Sequence, residues 1–336
     1  MEYPWSVGTA TGVGSLPYDD RDEAARLVAG ELPEFAHVPE LPVRGAGADM
    51  VGRTAALLVD MPVDLQPAGW RLVDRPGTDV RRARSMLDAD LDALEIALHG
   101  YQGPLKIQAA GPFTLAAAIE RNRGDRVLAD HGARRDLAHS LAEGVTAHRA
   151  DVAGRVPGAQ VVVQLDEPGL PAVLSGSIPT ASGFGRHRAV REPEAEDLLR
   201  VVLSAGGPSV IVHCCASDPP VALLHRAGAA ALSLDISALS RAALDGLREP
   251  VDGGLAIWPG VVPASPVEVP PTDRDLARKL ERFFDRIDTD PVKALPGTVV
   301  TPACGLAGAA MPWMRTAYKL ARDIARAFAE LVGADR

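Results

Sequence analysis

The stretch QVVVQLDEP, residues 160–168, joins an apolar run to two adjacent carboxylates and a proline. A run rich in valine without strict polar alternation is typical of a strand buried on both faces of a parallel sheet. In α/β barrels the functional side chains lie where the strands end. The stretch therefore predicts a parallel strand that carries Asp166 and Glu167 at its functional end.

Seven further apolar runs bring the number to eight, and amphipathic segments separate most of them. The runs are residues 12–17, 35–41, 105–113, 160–168, 209–217, 230–235, 254–262 and 298–306. The predicted helices are 20–32, 79–100, 115–155 as two helices broken near Gly124, 192–207, 272–287 with Thr272 as N-cap, and 311–333. This alternation predicts a single α/β domain over residues 1–336, a (β/α)₈ TIM barrel, with a doubly wound sheet as the alternative.

Two long segments are predicted as loops of this domain. The proline-rich segment 258–272 follows the seventh run and is interpreted as a long loop between strand and helix. The segment 175–193 is interpreted as a mobile loop over the functional face.

The composition excludes some classes of protein. The chain has 336 residues, 47% of them hydrophobic, which is enough for a large core. A net charge of −9 argues against a nucleic-acid partner, because binding phosphates requires a basic face. The first residues do not resemble a signal peptide, and no run of about 18 uncharged apolar residues predicts a membrane span. With three cysteines, too few for a disulfide framework, a soluble cytoplasmic protein with reduced thiols is expected.

All three cysteines lie at the predicted ends of strands. Because residues i and i+2 of a strand share a face, His213 and Cys215 are expected to point into the barrel, and Cys214 toward the helices. Closure of the barrel would bring Cys304 over the same mouth. One imidazole and two thiolates suit Zn²⁺, with Asp235 or the substrate as a fourth ligand. The alternative is that these cysteines only fill the core.

Two other motifs suit a small charged substrate. A carboxylate of LDEP (165–168) could bind a substrate ammonium group, or it could cap a helix or turn. The backbone of GSLP (14–17) could bind a substrate carboxylate, or it could form a plain turn. Nucleotide binding has little support, since neither G-x-G-x-x-G nor G-x-x-x-x-G-K-[ST] occurs.

Seven segments together resemble, in the same order, the C-terminal catalytic barrel of cobalamin-independent methionine synthases. This family lies within the wider group that also contains uroporphyrinogen decarboxylase. The segments are TATGVGSLP (9–17), the PEL…ADMVG region (39–52), AAGPFTL (109–115), VVQLDEPGL (162–170), IVHCCAS (211–217), LSLD (232–235) and TPACGL (301–306). The resemblance covers most of the chain, and the H-x-C motif with a distant CGL and an upstream DEP is its most specific part.

The resemblance implies a zinc site. It assigns His213, Cys215 and Cys304 as ligands of Zn²⁺, and it places Asp235 where the family has a ligating glutamate. Aspartate can ligate zinc, but its side chain is one methylene shorter than that of glutamate.

The resemblance also implies a substrate and a reaction. Asp166 and Glu40 would hold the amino group of homocysteine, and Ser15 would contact its carboxylate. Glu167, next to Asp166, is a further predicted substrate-binding residue. Asp166 is thus the predicted catalytic carboxylate. The implied enzyme is a methyltransferase of the 5-methyltetrahydropteroyltriglutamate–homocysteine S-methyltransferase type, in which a zinc-bound thiolate attacks an activated methyl group and gives methionine.

Departures from the family leave the methyl donor open. The family has a histidine at the end of its seventh strand, whereas IWPGVVP (257–263) has none and Trp258 is nearest. Ala307 and Gly308 stand where the family has basic residues after CGL, and the sequence corresponds to the catalytic barrel without the N-terminal one. The expected partners are therefore homocysteine and either methyl-tetrahydrofolate or a methylated corrinoid on another protein.

Two alternatives remain at this point. One is a metal-free decarboxylase of the uroporphyrinogen type, for which Arg44 and Arg53 would be the nearest basic groups. The other is a barrel that binds zinc or thiols without catalysis.

Overall fold

A curled sheet of seven parallel strands forms the centre of the protein. The computed structural model describes residues 3–268 and 271–334. The strands are β1 (Ala36–His37), β2 (Val63–Gln66), β3 (Gly69–Leu72), β4 (Gly103–Ala110), β5 (Ala159–Asp166), β6 (Val210–Cys214), β7 (Ala231–Asp235), β8 (Ala256–Val262) and β9 (Thr301–Pro302). The sheet has the order β1-β4-β5-β6-β7-β8-β9 with every pairing parallel, while β2 and β3 form a separate antiparallel hairpin.

The sheet confirms the predicted α/β class and seven of the eight predicted strands. The hairpin of β2 and β3 was not predicted. The first run, residues 12–17, lies in an irregular segment that contacts both edges of the sheet. Ala10 pairs in parallel with Val300 beside β9, and Ser15 pairs in parallel with Glu40 just after β1.

Helices connect most of the parallel strands. They are α1 (Arg21–Glu31), α2 (Met50–Leu57), α3 (Thr78–Ala97), α4 (Pro112–Ala118), α5 (His131–Arg155), α6 (Leu170–Leu174), α7 (Glu192–Ala205), α8 (Val221–Ala227), α9 (Arg241–Asp245), α10 (Arg248–Asp252), α11 (Asp273–Arg286), α12 (Pro291–Ala294) and α13 (Met311–Ala334), with short 3₁₀ turns at Pro42–Arg44, Val127–Ala129 and Leu295–Gly297. The segment 115–155 is indeed broken into two helices around Gly124. Thr272 caps α11 in a capping box with Asp275, as its position before the acidic first turn predicts.

The interior of the curled sheet is layered. Its base is an apolar cluster of Trp5, Phe35, Val162, Ile211, Ala231, Ala256, Trp258 and Val299. Because side chains alternate along a strand, the next inward positions of β5, β6 and β7 are Gln164, His213 and Ser233. Polar groups thus lie above an apolar base, toward the carboxyl ends of the strands.

Trp258, the residue nearest to the expected histidine at the end of the seventh strand, does not lie at a strand end. Strand β8 continues to Val262, so Trp258 is inside the strand rather than at its end. It is fully buried in the base, where its ring meets Trp5 and Phe35 edge-on at centroid distances of 5.0 and 5.4 Å.

The two predicted loops follow β8 and α6. Residues 263–268 and 271–272 form an irregular connection to α11, and residues 269–270 of this proline-rich segment lie outside the described residues. In the other loop Pro179 pairs with Arg186 across a turn, and its mobility stays a prediction. Within the described residues, no helix has the length and apolar character needed to cross a membrane.

Candidate metal centre and substrate site

Three potential metal ligands converge at the carboxyl ends of β6 and β9. The ligand atoms of His213, Cys215 and Cys304 all lie within 4.8 Å of one another, and the two sulfurs are 3.5 Å apart. Cys304 reaches this position because the chain before it crosses close to β8. A Cβ on Gly260 would lie 2.8 Å from the Cα of Ala303, so a side chain at that position would push the two segments apart.

The imidazole of His213 is oriented for a metal. Its Nδ1 lies 3.0 Å from the hydroxyl of Ser233, while its Nε2 is buried and has no hydrogen-bond partner among the described residues. An Nδ1–H that donates to Ser233 leaves the lone pair of Nε2 free. A histidine ligand held through its other ring nitrogen is the usual arrangement in metal sites.

The sulfur atoms also fit Zn²⁺. Two thiolates on one tetrahedral zinc, each about 2.3 Å from it, are ~3.8 Å apart, which is close to the observed separation. The Cys215 thiol and the His213 imidazole lower the pKa of Cys304 to about 4, whereas the contact with Cys304 and burial raise the pKa of Cys215. Burial raises the pKa of Cys214 to about 12, as expected of a thiol that faces the helices.

Asp235 is placed differently from the three converging side chains. It ends β7 on the same face as Ser233, but the group that could hold a metal does not include it. One of its carboxylate oxygens accepts a hydrogen bond from the backbone N–H of Ser237. Its ligation of zinc stays a prediction.

Two buried carboxylates lie near this centre. Glu40 and Asp166 are each about 5% exposed, and burial raises the pKa of both, that of Asp166 to about 7. The positive charge of Lys106 acts in the opposite direction on both carboxylates, as does that of Arg53 on Glu40. Such a pair can accept hydrogen bonds from an ammonium group.

Glu167 has a structural role at the start of α4, and its contact with substrate stays a prediction. Its side chain is fully buried, and its carboxylate accepts hydrogen bonds from the backbone N–H groups of Phe113 and Thr114 and from the Thr114 hydroxyl. These donors belong to the first turn of α4, where a negative charge is favourable. Of the two adjacent carboxylates, the strand therefore directs Asp166 inward and Glu167 to a helix N-terminus.

Ser15 lies between the carboxylates and the metal ligands. The N–H of Leu16 donates to the carbonyl of Glu40, and the N–H of Leu306 donates to the carbonyl of Ser15. A Cβ on Gly305 would lie 2.0 Å from the Ser15 hydroxyl oxygen. The turn after Cys304 therefore packs closely against Ser15, and a side chain at Gly305 would displace the Ser15 hydroxyl.

The comparison with protein families decides the assignment. The model of the cobalamin-independent synthase catalytic domain matches residues 7–327. The chain belongs to this family. Membership in the synthase family implies a methyltransferase and supports methyl transfer to homocysteine.

Solved structures agree with this synthase assignment at the level of the fold. A B12-independent methionine synthase from Shewanella sp. W3-18-1, solved in complex with selenomethionine, has a TM-score of 0.62 at 12% identity, covering 98% of this chain and 99% of that one. A candidate alpha-L-fucosidase from Bacteroides thetaiotaomicron, at 9% identity over 96% of this chain and 98% of its own, has a TM-score of only 0.32, too low to support an argument. No curated protein matches the sequence.

Sequence reasoning missed three polar side chains of this candidate site. They are Ser233, Gln164 and Lys106, all essentially without exposed surface. Lys106 is the single charged residue in the run LKIQAAGPF, and Gln164 precedes Asp166 by two positions on the same face of β5. The period of two along a strand was a signal for both. Ser233 could be recognised only once β6 and β7 were paired, His213 opposite Ser233.

Proposed function

We propose that the protein is a zinc-dependent methyltransferase that methylates the thiol of homocysteine to give methionine. The observation that carries this proposal is the convergence of His213, Cys215 and Cys304, with the buried Nε2 of His213 left without a hydrogen-bond partner in the part of the chain that the structure describes. Family membership supports the transfer to homocysteine.

The metal would solve one chemical problem. A free thiol, with a pKa of about 8.5, is mostly protonated at neutral pH, and coordination to Zn²⁺ keeps it as the nucleophilic thiolate. His213, Cys215 and Cys304 would hold the ion, and the substrate sulfur would bind to it beside them.

The protein side chains would orient the amino acid. Asp166 and Glu40 bind the ammonium group, and the turn at Ser15 receives the carboxylate. Because these anchors lie beside the cysteines, they direct the side-chain sulfur toward the metal centre. Fixing both ends of a short substrate lowers the entropic cost of bringing the sulfur to the methyl carbon.

The transfer itself forms one bond and breaks one. A sulfur–carbon bond forms as the bond between the methyl carbon and its carrier breaks, and the electron pair of that bond stays with the carrier. We propose as carrier either the nitrogen of tetrahydrofolate, which then takes up a proton, or the cobalt of a corrinoid.

We further propose that the fold is a closed (β/α)₈ barrel in a single domain. The segment 9–16 would occupy the place of the eighth strand, because it hydrogen-bonds to both edges of the seven-stranded sheet. This irregular closure would also explain why the Ser15 turn lies at the mouth.

The first test is metal content. Protein purified without added metal is expected to hold about one zinc per chain, Cys304→Ala to lose it, and Cys214→Ala to keep it, because Cys214 is buried away from the ligand group. Methyl transfer to homocysteine is then measured with methyl-tetrahydrofolate and with methylcobalamin. A wild-type protein that holds no zinc after reconstitution would rule out the thiol mechanism, and zinc without transfer from either donor would leave a non-catalytic barrel.

The decarboxylase alternative has little structural support. Its nearest basic groups, Arg44 and Arg53, both form ion pairs with the buried Asp90 at 2.6 and 2.7 Å. They are thus already used within the protein rather than free to hold the carboxylates of a porphyrinogen.

A further inference from the structure

The two carboxylates of the proposed amino-acid site have hydrogen-bonding capacity left over. Glu40 and Asp166 are only 6% and 5% exposed. Within the described residues, the side chain of Glu40 accepts no hydrogen bond, and that of Asp166 accepts one, of 2.8 Å from the amide of Gln164. An ammonium group has three N–H donors. If each carboxylate takes one of them, the third requires a further acceptor.

A third acceptor lies on the neighbouring strand. Gln108 is an inward residue of β4, it pairs in register with Gln164 of β5, and it is 5% exposed. Its oxygen Oε1 is buried and has no hydrogen-bond partner among the residues that the structure describes. A buried acceptor without a partner costs free energy, so the position of this oxygen requires an explanation.

The orientation of the Gln108 amide follows from its neighbours. Its Nε2 donates a hydrogen bond of 3.3 Å to the carbonyl of Val13. Because a carbonyl can only accept, the amide nitrogen is the atom that faces it, and Oε1 is left for another partner. Gln164 donates to the same carbonyl at 2.9 Å. The two glutamines therefore hold one backbone turn above β4 and β5.

The same turn brings Gln108 and Glu40 together. A Cβ on Gly14 would lie 3.3 Å from the carboxyl carbon of Glu40 and 3.4 Å from the amide carbon of Gln108. Both groups therefore lie against this glycine, one residue before Ser15. Asp166 ends the neighbouring strand β5, where the register pairs it with the residue two positions after Gln108. Three side chains with unused acceptor oxygens thus lie around the start of the turn to which the proposed function assigns the substrate carboxylate.

We propose that Gln108 is a further substrate-binding and specificity-determining residue: its Oε1 accepts a hydrogen bond from the ammonium group of the substrate, beside the carboxylates of Glu40 and Asp166. The proposal rests on the proposed function, whose amino-acid site it completes. Each of the three N–H groups then has an acceptor of its own. A thiol acid without nitrogen would leave all three acceptors unused, so the site selects an α-amino acid.

The test measures binding to the zinc-loaded chain by calorimetry. The ligands are L-homocysteine and 4-mercaptobutanoate, which differs from it only in lacking the amino group. Gln108→Met keeps the length of the side chain and removes the acceptor. The variant is expected to bind homocysteine about 10–100-fold more weakly, the loss typical of a hydrogen bond to a charged group, and to bind 4-mercaptobutanoate within about twofold of the wild type. The ratio of the two affinities is the quantity that decides.

Two further variants control this measurement. Gln102→Met makes the same substitution at an exposed residue just before β4, at the end of the strand opposite to the site, and is expected to change neither affinity. Gln108→Asn keeps the amide but withdraws its oxygen by one methylene, so it is also expected to lower the preference for homocysteine. This second variant decides by the same ratio if Gln108→Met does not fold.

Each outcome has a clear meaning. A loss of affinity for homocysteine alone supports the proposal. An equal loss for both ligands, no loss for either, or failure of both Gln108 variants to fold overturns it, because Gln108 would then only support the turn at Val13. If the wild type itself binds homocysteine no better than 4-mercaptobutanoate, the amino-acid site of the proposed function is refuted together with this proposal. If the wild type prefers homocysteine and the variants keep that preference, only this proposal is refuted.

Discussion

Removing the hydroxyl of Ser233 tests whether His213 is a metal ligand. The hydroxyl is buried and lies 3.0 Å from Nδ1 of His213, and in Ser233→Ala that nitrogen loses its partner. The imidazole then loses the preference for the tautomer that leaves the Nε2 lone pair free. Losing such a supporting hydrogen bond typically costs 10–100-fold in metal affinity, or about 1.4–2.7 kcal/mol.

The assay is competition for zinc with a chromogenic chelator, read as the dissociation constant of the protein. Ser140→Ala is the matched control. Ser140 lies on α5, away from the metal ligands, and its buried hydroxyl donates a hydrogen bond of 2.7 Å to the carbonyl of Val59. We expect a weaker zinc constant in Ser233→Ala only. An unchanged constant, with one zinc still bound, would show that Ser233 does not orient the ligand and would refute the assigned tautomer.

Three further predictions follow from single contacts. Gly305→Ala places a methyl group against the hydroxyl of Ser15 and should lower methyl-transfer activity at least tenfold, whereas Gly308→Ala, which meets open space, should leave the rate unchanged; equal rates would refute the close packing. In Glu167→Gln, the side-chain NH₂ group faces backbone N–H donors that the carboxylate accepted from, so the free energy of unfolding should fall by about 1–3 kcal/mol while zinc content stays at the wild-type level. A loss of homocysteine affinity without a loss of stability would instead place Glu167 in the substrate site. Burial lowers the pKa of His148 to about 4, so the stability that depends on its neutral form is complete above pH 6.5 and is lost as the pH falls toward 4. In denaturant titrations, the free energy of unfolding of His148→Gln relative to that of the wild type should rise by about 1.4 kcal/mol for each unit by which the pH falls in that range. Parallel pH profiles of the two proteins would contradict the lowered pKa of His148.

The period of two along the strands explains which site residues could be recognised in the sequence. It predicted that His213 and Cys215 share a face while Cys214 does not, and the ligand group contains the first two with Cys304. The same period says less about the pair Asp166 and Glu167. It shows that adjacent side chains point in opposite directions, but not that the outward one meets the N-terminus of α4.

The misplacement of Trp258 has a different cause. The end of a strand is set by its hydrogen-bond partners, and β8 pairs with β9 through a register shift between Gly260 and Val262. Nothing local in the sequence shows where that pairing stops. The same limit applies to the segment 10–17, whose irregular bridges, from Ala10 to Val300 and from Ser15 to Glu40, depend on how the sheet curls.

Most of the alternation of strands and helices, the face on which strand residues lie, and the chemical types collected at the strand ends could be predicted, because these follow from local periodicity and composition. Which of those residues meet depends on the folded sheet. Cys304 lies 89 positions after Cys215, and Lys106 lies 93 positions after the carbonyl of Val13 that it binds. Such contacts arise from the curvature and register of the whole sheet, which no single stretch of sequence encodes.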